Sequence, residues 1–89
     1  MANNVYTRDD DQITIGDASA HQISALPNKF VKVTVQAAGN NNGTILVGGA
    51  NPTIELVSGA SHSFENGFLN QIYYKGDTNG DLLNIHFEF

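Results

Sequence analysis

The chain has 89 residues, no cysteine and a formal net charge of −5, with nine acidic residues against four basic ones. That length makes one small domain, and the missing thiols exclude a disulfide framework or thiolate zinc site as a supplement to its core. Four dispersed cations, Arg8, Lys29, Lys32 and Lys75, cannot build the electrostatic footprint that binds phosphate backbones, which excludes nucleic acid and disfavours an anionic membrane surface.

The first residues, Met-Ala-Asn-Asn followed by Arg8 and three aspartates, lack the apolar run of a targeting segment. The absence of cysteine points to assembly in a reducing compartment such as a cytoplasm. Eleven asparagines predict a surface solvated by amides and hydroxyls more than by ions, and many of them suit turns.

Residues 1–11 read as a polar arm in which only Val5 and Tyr6 offer apolar anchors. From Gln12 the pattern is strand after strand, with Ile13 and Ile15 alternating with Gln12 and Thr14 up to Gly16-Asp17. A second strand spans His21 to Ala25 and is closed by Leu26-Pro27-Asn28. The clearest alternation follows, Val31, Val33 and Val35 on one face against Phe30, Lys32, Thr34 and Gln36. Period-2 repetition of β-branched residues marks a half-buried strand.

Further strands are predicted over Thr44–Gly48, over Thr53–Ser58 with Ile54 and Leu56 inward, and over Ser61–Glu65 around Phe64. Phe68–Lys75 places Ile72 and one of Tyr73 and Tyr74 inward, and the last strand sets Leu83, Ile85, Phe87 and Phe89 against Asn84, His86 and Glu88. Three Asn-Gly pairs, Asn42-Gly43, Asn66-Gly67 and Asn79-Gly80, punctuate the chain. Such pairs tolerate the positive φ of type I′ turns and predict hairpins, the first and third most clearly because alternating stretches flank them. No window carries helical spacing beyond one turn. The expected fold is all-β, a small antiparallel β-sandwich or barrel of about seven or eight short strands, with a single domain over 12–89 after the arm.

The loop Gly76 to Asp81 places Asp77, Asn79 and Asp81 at alternate positions, as oxygen ligands stand in calcium loops, with Glu88 at the twelfth position. The pattern breaks at the sixth position, where Leu82 replaces the required Gly, and no helices flank it. An Asx-rich turn accounts for the same residues. Asp9 to Asp11 read as solvated charges, and His21, His62 and His86 have no ligand spacing. Ser61 and Ser63 flank His62 and so point to the opposite face, which leaves no nucleophile–base pair. Asn42-Gly43-Thr44 fits a glycosylation acceptor but serves as a turn. The residues therefore point to a non-enzymatic domain with no cofactor.

The stretch from Phe30 to Phe87 runs FVKVTVQ, an Asn-Gly turn, TILVGG, a loop and strand, then LNQIYYKGDTNGDLLNIHF. It resembles small β-sandwich proteins from the structural gene clusters of tailed bacteriophages, over about two-thirds of the chain. The resemblance implies a virion structural role on the capsid surface, after assembly in the host cytoplasm. It implies a decoration (cement) protein bound to the major capsid protein, as a homo-oligomer and commonly a trimer. No site residues are carried over. Val5, Tyr6, Tyr73 and Tyr74 are the expected partner contacts. Alternatives are a tail, baseplate or fibre subunit, or a small carbohydrate-binding module using Tyr73, Tyr74 and the Asn loops.

Overall fold

A computed structural model describes residues 10–89. The arm's anchors, Val5 and Tyr6, lie outside the described residues. Asp10 and Asp11, assigned to the arm by sequence, instead open the first strand. The strands are β1 (Asp10–Thr14), β2 (His21–Gln22), β3 (Lys29–Ala37), β4 (Ile45–Gly48), β5 (Ile54–Leu56), β6 (Ser61–Phe68), β7 (Tyr73–Gly76) and β8 (Leu82–Glu88). A single 3-10 turn, Leu69–Gln71, separates β6 from β7 and splits the strand expected over 68–75.

Two four-stranded antiparallel sheets form, in the orders β1-β8-β3-β6 and β2-β7-β4-β5. The pairs β1·β8, β2·β7, β3·β6 and β4·β5 are the rungs of one long hairpin. Rolling that hairpin up brings β3 beside β8 and β4 beside β7, which completes each sheet. This is the jelly-roll topology, a double-sheet answer to the problem of unpaired sheet edges.

The alternation that predicted strands also built the core. Val33, Val35 and Ala37 from β3 and Leu83, Ile85 and Phe87 from β8 face Ile45 and Val47 of β4 and Leu56 of β5. Ile15, Ile23, Leu69 and Ile72 lie outside the strands and join the same buried cluster, closing gaps that the short strands leave. Gly76 has no side chain because Ile15 occupies the space. A Cβ there would stand 2.7 Å from Cγ1 of Ile15.

Several expectations fail in instructive ways. Val31 is 56% exposed and Phe30 is buried, the reverse of the predicted faces. The cause lies on the neighbouring strand. Asn66 takes φ 54°, the pairing of β3 with β6 skips Val31 and Asn66, and Phe30 lies over Gly67. A Cβ on Gly67 would stand 3.0 Å from that ring. Asn66-Gly67 is therefore a kink inside β6 and not a turn between strands.

Asn42-Gly43 is not a tight hairpin either. Neither residue has positive φ, and β3 and β4 belong to different sheets, so residues 38–44 cross the sandwich. Phe89, expected inside, is half exposed and stacks on Phe87 with ring centroids 5.8 Å apart.

Asn79-Gly80 is a true turn. Gly80 has φ 92° while Asn79 keeps negative φ, and the Asp81 N–H reaches back to the Thr78 carbonyl. Positive φ at the second central position alone is the type II pattern, not type I′.

Phe87 is 2% exposed at the centre of the first sheet. Phe87→Ala is expected to lower unfolding stability by about 3–5 kcal/mol, close to the whole stability of a domain this size. Urea denaturation monitored by tyrosine fluorescence measures it.

Candidate functional site

The densest polar constellation joins the two connections that cross between sheets at one end of the sandwich, residues 38–44 and 77–81. At its centre Asp81 is 4% exposed, the one buried charged residue among those described. Its two carboxylate oxygens accept the backbone N–H groups of Asn42 (2.9 Å) and Gly43 (2.8 Å). Asn41 beside them acts as a short strand. Its amide accepts the Leu82 N–H at 2.8 Å and donates to the Leu82 carbonyl at 2.9 Å. Ser58 donates to the Asn41 carbonyl at 2.6 Å. Asp77 accepts the Thr44 N–H at 3.1 Å and the Thr78 hydroxyl at 3.0 Å.

These bonds show what engages two of the calcium-loop candidates, Asp77 and Asp81. Both oxygens of Asp81 and Oδ1 of Asp77 accept backbone N–H groups, which ties each carboxylate to the neighbouring crossing. Among the described residues the Asn79 side chain makes no bond within this network, and Glu88 lies on an exposed strand position. Among the described residues no group of His, Asp or Glu is placed to hold a metal ion. Gly43 is required here by crowding, since a Cβ would collide with Asp77 Oδ1 and Thr78 Oγ1. The sequence flagged the right glycine for a different reason.

The remaining candidates disperse. His21 lies on β2, His62 on β6 and His86 on β8, so no three-histidine centre assembles. His62 pairs with fully buried Val35 and shares its face, while Ser61 and Ser63 take the outer one. His62 packs edge-on against Phe64, centroids 4.8 Å apart.

Tyr73 and Tyr74 are separated by the same alternation. Tyr74 packs against the core, whereas Tyr73 is turned to the outer face of the second sheet, so the two rings do not form one platform. That outer face holds a shallow cleft of about 330 Å³ floored by Leu46, with Glu55 and Lys75 on either side.

At the edge of the second sheet, His21 Nε2 and Asp17 Oδ1 lie 2.8 Å apart, and the imidazole stands 5.8 Å from the Tyr74 ring. The hydrogen bond with His21, then the N–H of Ser19, holds the Asp17 carboxyl below its ordinary range. Burial first, and the Asp17 charge second, push the Tyr74 hydroxyl up. Asp17 and His21 are both largely exposed, which makes this a surface contact of small energetic weight.

The outer face of the first sheet carries rows of polar residues. Its cross-strand rows run Gln12–Asn84–Gln36–Ser61 and Asp10–His86–Thr34–Ser63. Gln12 donates to Asn84 at 2.8 Å, Thr34 and Ser63 hydroxyls meet at 3.0 Å, and His86 Nδ1 lies 2.8 Å from Asp10. A shallow depression of about 370 Å³ runs between Asp10, Thr34, Gln36, Asn84 and His86. Sequence reasoning set Gln12, Thr34, Gln36, Asn84 and His86 opposite the apolar face of their strands and Ser61 and Ser63 opposite His62, but left Asp10 in the arm. It could not see that they align into one face, because strand order was not legible.

Compared with known proteins, the chain matches no family model, no curated protein and no solved structure.

Three outcomes test these arrangements. Asp81→Asn keeps the shape but turns an amide N–H₂ toward a backbone donor, and should cost about 1–3 kcal/mol in chemical denaturation. Millimolar calcium should leave the melting temperature of the wild type unchanged. For Asp17, a lowered folded pKa means stabilisation that is complete above the unfolded carboxylate value and lost as pH falls through the folded one. In His21→Ala, the Asp17 carboxyl titration followed by NMR should move up toward its ordinary range.

Proposed function

We propose that this chain is a non-enzymatic virion structural protein, a capsid decoration protein that binds the outside of a phage head and bridges its capsomers. The observation that carries the reading is the polar outer face of the β1-β8-β3-β6 sheet. There Gln12, Asn84, Gln36, Thr34, Ser61 and Ser63 stand in cross-strand rows of amides and hydroxyls. Such a surface offers many hydrogen bonds at low desolvation cost, which suits a wet contact with a larger protein surface.

The fold adds support by analogy, since jelly rolls serve viral capsids as well as lectins, and function is set by sites and not by architecture. The net charge of −5 favours the exterior of a shell over its DNA-filled interior. A tail or baseplate location uses the same surface and differs in stoichiometry, as a ring of copies against a shell.

The depression beside Asn84 and Thr34 favours one second reading, a carbohydrate-binding module whose amides and hydroxyls meet sugar hydroxyls. The two separated tyrosines do not support a stacked-ring platform of the expected kind.

Phage heads assembled without this protein should lose heat and osmotic stability, and adding the purified chain should restore both. Gln36→Lys with Asn84→Lys on the polar face should abolish that rescue without unfolding the domain. Unchanged head stability, or glycan-array binding lost on Asn84→Ala, would replace the decoration reading with another.

A further inference from the structure

We propose that β6 pairs antiparallel with β6 of a second copy of this chain, about a twofold axis at Ser63, joining two first sheets into one continuous sheet. This inference stands apart from the decoration reading and needs no capsid.

The four sheet edges are not equal. β2 has two residues and β5 has three, too short to template a neighbour, and β1 opens with Asp10 and Asp11. β6 has eight residues with Glu65 as its single acidic or basic charge, contains no proline, and has no neighbour on its outer side among the described residues. Natural edges are normally blunted by shortness, charge or proline. β6 lacks these devices from Ser61 to Phe64, and the kink at Asn66 limits regular pairing to residues 61–65.

Backbone direction follows from the ladder. The Ala37 N–H donates to the Ala60 carbonyl at 2.9 Å, in the same register that sets Val35 opposite His62 and Val33 opposite Phe64. Alternation along an antiparallel pair then turns the N–H and C=O of His62 and Phe64 toward β3. Those of Ser61, Ser63 and Glu65 are turned outward.

A twofold pair centred on Ser63 is the register that matches these three residues with themselves. Ser63 meets Ser63 of the copy, and Ser61 meets Glu65 of the copy, each pair exchanging both ladder bonds. Centring on Glu65 instead would oppose two like charges. On the inner face the Ser63 register sets His62 against Phe64 of the copy. These two rings already pack edge to face within one chain, and that geometry is favourable across strands as well.

The test is the association state of the full chain with three variants. Wild type should sediment as a monomer–dimer equilibrium. Ser63→Pro removes an outward N–H and no bond of the β3 ladder, and should raise the dimer dissociation constant at least about tenfold. Circular dichroism should show its fold unchanged.

Ser63→Cys provides an independent readout, because paired Cα atoms about 5.5 Å apart fall within disulfide reach. Under mild oxidation Ser63→Cys should give a covalent dimer, and Ser61→Cys should give little. A chain that stays monomeric throughout overturns the proposal. So does a trimer, since threefold rotation cannot pair β6 with itself. Equal cross-linking of the two cysteine variants also overturns it.

Discussion

The Asp81 carboxylate is the interaction on which the architecture turns. A jelly roll must carry its chain from one sheet to the other several times, and each crossing strips backbone groups of their ladder partners. Here two crossings, 38–44 and 77–81, lie against one another at one end. A single buried carboxylate satisfies the N–H groups of Asn42 and Gly43, while the Asn41 amide takes both backbone groups of Leu82. The charge tolerates burial because each of its oxygens accepts a hydrogen bond. Loss of that anion would strand the Asn42 and Gly43 N–H groups of the first crossing and loosen its hold on the start of β8, the strand that supplies Leu83, Ile85 and Phe87 to the core.

Consequences run outward from this lock. With the crossings fixed, β8 lies between β1 and β3, and its outward residues fall into line with theirs. The polar face of the first sheet is thus a product of strand order. The same order leaves β6 at the far edge, where its core-side residues His62 and Phe64 are half-buried and its outward backbone groups have no ladder partner among the described residues. One sheet therefore carries both the polar face proposed to meet a larger protein surface and the edge proposed to pair with a second copy.

Particular residues show how far the sequence could be read. The period-2 runs placed the strands, and the burial of Val33, Val35, Leu83, Ile85 and Phe87 followed the predicted alternation. Val31 and Phe30 broke it, because the left-handed conformation of Asn66 on the adjacent strand removed one pairing and let Phe30 cover Gly67. No pattern within residues 29–37 announces an event on residue 66. Likewise, along the chain Asp81 read only as part of an Asx-rich turn with a broken calcium-loop spacing. In space it faces two N–H groups that are remote in sequence.

What the sequence determined by itself was local: the alternating faces of most strands and the all-β class. Those properties depend on residues a few positions apart, so chain order reveals them. Tertiary structure decided which strands became neighbours, which Asn-Gly pair was a turn, a crossing or a kink, and which polar residues share one surface. These depend on contacts between positions 29 to 76 residues apart, such as Thr34 with Ser63 and Asp10 with His86. Only the rolled hairpin brings them together.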